Sequence, residues 1–271
     1  MLDRGDLIYR CDGGMTGLLC CVFESYTRKE IPADILGMEE LTLFPVRDIL
    51  PDEAHALRVW RSVGKISRQA QRWVALAWLS CEDGRLYAIY RFIRLLYTFG
   101  SKTLSMLADD TVNRIYRMVR AVENEAHHMK EFLRFAEYEK VLVSVISPKG
   151  AVLPLLQHHF TDRFPEEAFV IFDRTHGMAL FYRPYQAYIQ TVESLQLPPA
   201  GAQEQEMQAL WKRYYEKIAI AGRFNPKCRM GHCPKRFWPD MTELAPELLK
   251  ESPSRQGLPA GIAGTLPTYI E

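Results

Sequence analysis

The tetrapeptide Glu125-Ala126-His127-His128 is the first group of residues in this sequence whose types could carry out chemistry. Glu125 and His128 are three positions apart, so they share a face if the segment is helical. A carboxylate and an imidazole on one face could form a general acid/base pair or supply two metal ligands. The metalloprotease pattern, two histidines four apart with a glutamate between them, is absent.

The competing interpretation is that a histidine near a helix end caps that helix or satisfies a buried carbonyl group. We favour this interpretation because the sequence supplies no second half of a known catalytic constellation. The sequence therefore predicts that Glu125, His127 and His128 are structural or orienting residues, with catalysis by them as the alternative.

A basic-aromatic segment, residues 211–238, alternates cations with aromatic rings. Nucleic-acid sites need both, because cations neutralise phosphates and flat rings stack on unpaired bases. Trp211, Tyr214 and Ile218 recur at helical spacing and are predicted to be core. The residues predicted to contact nucleic acid are Arg213, Tyr215, Lys217, Arg223, Phe224, Asn225, Lys227, Arg229, Lys235 and Arg236.

A second basic set lies earlier in the chain and has no acidic residue within it. Its members, on one continuous helix, would fall within an arc of about 80°. This alignment requires that the helix continue through Gly64 and is partly lost if the helix breaks, and the competing interpretation is an ordinary solvated face. The set is predicted to be a phosphate-binding surface and consists of Arg58, Arg61, Lys65, Arg68 and Arg72.

The remaining motifs argue against other kinds of site. Cys228, His232 and Cys233 have poor spacing for zinc and no partner cluster elsewhere, so we expect no metal and no cofactor. The glycines at 13, 14 and 17 match neither the P-loop nor the dinucleotide fingerprint and indicate a turn into a helix. The other cysteines are expected to be buried, reduced thiols.

In the N-terminal half, helices must position these residues. An extended piece at 7–10 precedes a helix around Leu18–Tyr26, which is predicted to end at Ile31-Pro32. A connector follows the helix and is predicted to contain a short strand at 41–46. Asp52 is the predicted N-cap of a long helical stretch that Gly64 and Ser67 could divide. Further helices are predicted at about 86–99 and 109–130.

After residue 130 the hydrophobic period changes from helical to alternating. Strands are predicted at 141–146, 168–173 and 178–183, with a helix at 152–164 between the first two. This β-α-β-β unit is followed by a Pro/Gly-rich link and a helix at 204–221 that Gly222 ends. Residues 223–229 are predicted to lie on a loop.

These elements predict an α+β protein, with a helical N-terminal half, a small β-α-β-β sheet unit and a C-terminal basic helix-loop segment. We expect one domain over residues 1–251, with a helical part at about 12–130, a sheet part at about 131–190 and the basic segment at about 204–245. Residues 252–271 hold several prolines and glycines and are predicted to be a flexible tail.

The net charge of the 271-residue chain is +1, but this value hides a strong segregation. Residues 58–102 and residues 211–238 each carry an excess of seven positive charges, whereas residues 1–57 hold eleven acidic and five basic residues. Local charge decides what a surface attracts, so anionic partners are expected. No apolar run reaches the roughly 18 residues of a membrane helix and no signal peptide is evident, which predicts a cytoplasmic protein without membrane contact.

Several motifs together resemble a known bacterial family. They are Asp12-Gly13-Gly14 with 17–19 and 22–24, Glu125-Ala126-His127 with Met129 and 132–135, His159-Phe160 with 163–165, and Tyr214-Tyr215 through Arg223, Asn225-Pro226-Lys227, Pro234, Arg236 and Trp238. The set resembles a family associated with DNA repair and DNA metabolism, over nearly the whole chain to about residue 245. The chain departs from the family pattern at Phe169, Cys233 and Phe237, where tryptophan, methionine and tyrosine are usual.

The resemblance implies a pathway rather than a reaction. Proteins of that family are found paired with a radical-SAM protein of DNA modification or repair, and fused to uracil-DNA glycosylase-like domains. We therefore expect a nucleic-acid-binding accessory protein that binds DNA, single-stranded or damaged, and acts with a radical-SAM partner enzyme. The alternative is an enzyme that acts on a DNA base or phosphate through Glu125, His127 or His128.

Overall fold

The structure, a computed structural model, describes residues 2–223 and 225–244 of the chain. The tail predicted at 252–271 lies outside these described residues. The fold is α+β, as the sequence predicts. It comprises two compact units, with the division between Glu123 and Asn124. The prediction of one domain over residues 1–251 stays a prediction.

The first unit is built on a three-stranded parallel sheet with strand order β2-β1-β3. The strands are β1 (Leu2–Cys11), β2 (Glu30–Gly37) and β3 (Val46–Asp48). The helices are α1 (Met15–Thr27), α2 (Glu53–Ile66), α3 (Arg68–Trp78) and α4 (Arg85–Phe99), followed by a 3-10 segment (Gly100–Ser105) and the start of α5 (Asp110–Phe132). Their apolar faces form a core around Leu18, Leu19, Ile35 and Ile89, all fully buried.

Two predictions for this unit are wrong. Residues 31 and 32 do not end α1, which already ends at Thr27; they lie inside β2, which pairs with β1. The short strand lies at Val46–Asp48 rather than at 41–46, because Leu41 and Leu43 are fully exposed and pair with no strand. The predicted cap is confirmed, since Asp52 Oδ1 accepts a hydrogen bond of 2.8 Å from the His55 backbone N–H.

The second unit contains a five-stranded sheet with strand order β4-β5-β6-β7-β8. Its strands are β4 (Ala136–Tyr138), β5 (Val141–Ile146), β6 (Phe169–Asp173), β7 (Met178–Arg183) and β8 (Gln186–Thr191). Strands β5 and β6 are parallel, and every other pair is antiparallel. Helix α6 (Leu153–Arg163) crosses between β5 and β6, which confirms the predicted β-α-β-β unit; β4 and β8 extend it.

The C-terminal part of this unit is helical. Helix α7 (Ala202–Ile218) is followed by a 3-10 turn (Ala221–Arg223), helix α8 (Pro226–His232) and a second 3-10 segment (Lys235–Asp240). The prediction that residues 223–229 form a loop is wrong, because the Asn225 side chain caps α8 by accepting a hydrogen bond from the Cys228 backbone N–H. Helix α7 ends at Ile218, before the predicted Gly222 stop.

Candidate nucleic-acid interface

Helix α7 exposes its apolar stripe to solvent. Trp211 is 41% exposed, Tyr214 is 55% exposed, and Ile218 is equally open. No residue of α7 is buried, so the prediction that this stripe is core is wrong. The helical period was correct, but no described element of the second unit covers this face. Large exposed apolar side chains clustered on one face mark interaction sites in folded proteins.

Cations flank this exposed stripe. Arg213 and Lys217 lie one turn apart on α7 and, on an ideal helix, fall within about 100° of Tyr214. Both are exposed and form no ion pair with a described residue. The same holds for Arg223 in the following 3-10 turn and for Lys227 in α8. Four free cations therefore accompany two exposed rings, which is the combination that single-stranded nucleic acid requires.

The Trp211 ring is fixed in place by a buried carboxylate. Its Nε1 atom donates a hydrogen bond of 2.9 Å to Glu243 Oε2, and Arg134 Nη2 donates to Glu243 Oε1 at 2.7 Å. The Arg134 guanidinium also lies 5.8 Å from the Trp211 ring centroid, a cation-π distance. Burial alone would raise the pKa of Glu243, but the hydrogen bonds from Arg134 and Trp211 hold this pKa below its usual value.

The hydrogen bonds that Glu243 accepts from Trp211 and Arg134 should depend on pH. Because the folded pKa of Glu243 is depressed, its stabilising contribution is fully present above its usual value of about 4.5 and is lost as the pH falls through the lower folded value. We expect the Trp211 indole N–H resonance to hold its position down to about pH 4.5 and to shift below it. NMR spectra recorded over this pH range test the prediction, and the Trp211→Phe variant assigns the indole resonance. A shift with a midpoint above 4.5, or one that persists in Glu243→Gln, would contradict the prediction.

Other cations of the basic-aromatic segment are engaged in internal contacts. The Arg229 guanidinium lies 4.6 Å from the Trp238 ring centroid, and the Lys235 ammonium lies 5.8 Å from the same ring. Arg236 stacks on Phe237 at 4.5 Å and forms an ion pair with Glu125. These three residues therefore hold the segment together, which reduces their availability to phosphates. Tyr215 is half-buried, and Phe224 lies outside the described residues.

Glu125 is a buried anchor. Its side chain is 6% exposed and accepts hydrogen bonds from the Lys149 and Gly150 backbone N–H groups at 3.0 and 2.8 Å. Arg236 Nη1 donates a third, at 2.8 Å. The carboxylate thus joins α5, the turn after β5 and the C-terminal 3-10 segment. With both oxygens occupied, Glu125 has the geometry of an orienting residue.

The two histidines do not join Glu125. His127 is 70% exposed, and its Nε2 lies 3.2 Å from Glu131 Oε1 one turn along the helix. The His128 ring stacks on Phe132 with centroids 5.6 Å apart and also contacts Phe237. Glu125 forms no hydrogen bond with either histidine among the described contacts. The structure therefore does not assemble the acid/base pair that the spacing allowed.

The earlier basic set is divided between two helices. Ser67 has extended backbone, and its hydroxyl oxygen caps α3 by accepting a hydrogen bond from the Ala70 backbone N–H, so Arg68 and Arg72 lie on α3 and not on α2. The helix continues through Gly64, as the alignment required, but the division at Ser67 that the sequence left open separates the five cations into two groups. Arg72 forms an ion pair with Glu123 at 2.8 Å. The three remaining cations, Arg58, Arg61 and Lys65, keep one face of α2, which runs unbroken through Gly64.

Sequence reasoning missed a polar pair at the end of β6. Asp173 is fully buried, and its Oδ2 lies 2.6 Å from His176 Nδ1. Its Oδ1 accepts hydrogen bonds from the Thr175 and His176 backbone N–H groups. An aspartate at a strand end followed three residues later by a histidine was the available signal. The contacts stabilise the turn from β6 into β7.

The described part of the chain gives two further results. No three histidine, cysteine, aspartate or glutamate side chains within it are arranged to hold a metal ion. No helix within it has the length and apolar character needed to cross a membrane.

The fold and these contacts define an α+β protein with an exposed ring-and-cation face on α7. Residues 83–243 match the family model described as DUF4130, a domain of unknown function. Because this match spans more than half of the chain, the chain belongs to that family. It includes Glu125 and the whole basic-aromatic segment but begins after α2 and α3. No curated protein and no solved structure matches the chain.

Proposed function

We propose that the protein binds single-stranded nucleic acid through the exposed face of α7 and the cations that follow it. The observation that carries the proposal is the pair of exposed rings, Trp211 and Tyr214, beside Arg213 and Lys217. Stacking on a protein ring contributes about 1–3 kcal/mol per base, and free cations contribute by releasing counterions from phosphates. A self-repelling cluster of this kind is expected to have an anionic partner.

The biological setting that we propose is DNA repair or DNA metabolism in the bacterial cytoplasm, with the protein as an accessory that presents DNA to a radical-SAM enzyme. The motif resemblance at 12–24, 125–135, 159–165 and 214–238 supports this setting. The alternative, an enzyme that uses Glu125, His127 or His128, has less support because both Glu125 oxygens are already hydrogen-bonded.

A salt titration of binding tests the proposal. Fluorescence anisotropy with a labelled 20-nucleotide oligothymidylate should give a log–log slope of about −0.7 per phosphate neutralised. Replacing Arg213, Arg223 and Lys227 together by alanine should flatten the slope by up to about 2 units, since three phosphate contacts are lost. Thermal stability should be nearly unchanged, because all three side chains are exposed.

A charge-matched variant controls for net charge. Lys102, Arg117 and Arg183 are exposed and lie outside the basic-aromatic segment, so their triple alanine variant should retain the wild-type slope. Binding that ignores salt, or equal losses in the two triple variants, would contradict the proposal. The face of α7 would then be better explained as a docking surface for an acidic protein.

A further inference from the structure

A groove lined by aromatic rings lies within the first unit, where α1, α2 and α4 meet. Its walls include Phe23, Tyr26, Arg58, Ser62 and Tyr97. Its volume is about 350 Å³. This lies within the roughly 300–1,000 Å³ range of small-molecule and cofactor sites. Of the predicted nucleic-acid-binding residues, Arg58 lines this groove.

The rings of Phe23, Tyr26 and Tyr97 are each at least partly exposed, and the Arg94 guanidinium lies 5.2 Å from the Tyr26 ring centroid. Tyr26 is 40% exposed and meets Tyr97 edge-on, with centroids 5.4 Å apart and an interplanar angle of 80°. The His55 ring stacks on Phe23 with centroids 3.8 Å apart and fixes the Phe23 ring in place. A fixed, partly open aromatic wall of this kind can bind a planar ring with little loss of side-chain entropy.

Hydroxyl groups supply polar contacts inside the groove. The hydroxyls of Ser62 and Tyr97 are hydrogen-bonded to each other, and Ser62 also donates to the Val59 carbonyl oxygen. Burial raises the pKa of both Tyr26 and Tyr97. The Tyr26 phenol therefore stays protonated at neutral pH and can donate a hydrogen bond to an acceptor on a bound ring. Tyr97 already donates its hydroxyl proton to Ser62, because the Ser62 proton goes to Val59, so Tyr97 can only accept a hydrogen bond from a ligand.

Arg58 lines the groove, and two further cations lie near it on α2. Arg58, Arg61 and Lys65 occupy an arc of about 60° on the helix, and Ser62 lies within about 40° of Arg58. All three cations are exposed, and none forms an ion pair with a described residue. The Arg58 guanidinium lies 5.9 Å from the Phe23 ring centroid, at the wall of the groove. A ligand here would have a planar ring and neighbouring negative charge.

We propose that this groove binds one base of a single-stranded nucleic acid, with the adjoining phosphates contacted by Arg58, Arg61 and Lys65. The inference rests on the proposed nucleic-acid binding and adds a second, separate contact region in the first unit. It also gives the cations of α2 a role that does not require Arg68 and Arg72, which lie beyond Ser67 on α3. Most of the groove precedes residue 83, where the family match begins.

Photo-crosslinking locates the bound base. An oligothymidylate carrying one 5-iodouracil should crosslink to the aromatic wall of the groove, and the product should map to the tryptic peptides 11–28 or 95–102, which hold Phe23 with Tyr26 and Tyr97. Crosslinks confined to peptides 175–212 and 214–217, which hold Trp211 and Tyr214, would contradict this inference and leave the proposed function standing. Absence of any oligonucleotide binding would contradict both.

Substitutions at Tyr26 provide a second readout. Tyr26→Leu removes the ring but keeps an apolar side chain, so affinity for the oligothymidylate should fall about 10-fold. Tyr26→Phe keeps the ring and should remain within about 3-fold of the wild type. Tyr116→Leu, an exposed tyrosine on α5 outside the groove, is the matched control and should not change affinity. Wild-type affinity in Tyr26→Leu would overturn the inference even if the α7 variants lose binding.

Discussion

Replacing Glu125 by alanine is expected to lower the free energy of unfolding of the second unit by about 3 kcal/mol. The substitution leaves two backbone N–H groups, of Lys149 and of the buried Gly150, without an acceptor. It also leaves the Arg236 guanidinium without its counter-charge. Arg236 is 39% exposed, so solvent partly screens its charge. The expected loss of stability is therefore at the low end of the range for breaking a buried ion pair. Calorimetry should show a fall in Tm on the order of 10 °C.

Two variants on the same helix control this experiment. Glu131→Ala and His127→Ala remove exposed side chains that contact each other, so each should change stability by less than about 0.5 kcal/mol. A Glu125→Ala protein as stable as the wild type would show that the anchor is unimportant. A normally folded His127→Ala protein that has lost a measured nucleic-acid-processing activity would instead support the catalytic alternative.

The regular elements could be predicted where local sequence determines them. The β-branched run at 141–146 specifies a buried strand whatever lies beside it, and β5 is found there. Asp52 caps α2 through a contact only three residues away. By contrast, β4 has three residues and β8 is an edge strand rich in polar side chains, so neither has a strong local pattern.

Periodicity was less informative about burial. The stripe on α7 has the spacing of a core-facing helix, and spacing alone cannot reveal whether a neighbour covers it. Its exposure changes the candidate site, because the rings expected to be core become the ones available for stacking. Similarly, the residues between Arg58 and Arg72 permit a continuous helix, but the Ser67 cap competes with it and ends α2.

The role of Glu125 depends on contacts between distant parts of the chain. Its partners lie 24, 25 and 111 residues away, so no local pattern could indicate which group would saturate the carboxylate. The spacing of Glu125 and His128 did place them on one helix, as predicted. What the spacing could not show is that the carboxylate binds backbone amides while the imidazole packs against Phe132 and Phe237.

The largest expected effect on binding comes from the two exposed rings of α7. The double variant Trp211→Ala/Tyr214→Ala should weaken binding of a labelled oligothymidylate about 100-fold, since each ring is expected to stack on one base. The Trp211 and Tyr214 ring centroids lie 5.7 Å apart and their planes are inclined at 31°, so the two rings are direct neighbours on α7. Anisotropy titrations at fixed salt measure this loss separately from the cation contribution.

The controls separate stacking from folding and from general apolar contact. Trp211→Ala also removes the hydrogen bond to Glu243, so the double variant should lose about 1 kcal/mol of stability. Tyr214→Ala alone should lose little stability and still bind the oligothymidylate about 10-fold more weakly. Met207→Ala/Leu210→Ala removes two exposed apolar side chains from the same stripe without removing a ring. If that variant loses as much affinity as the aromatic one, α7 binds its partner through apolar area and not through base stacking, and a protein partner would fit the face better than nucleic acid.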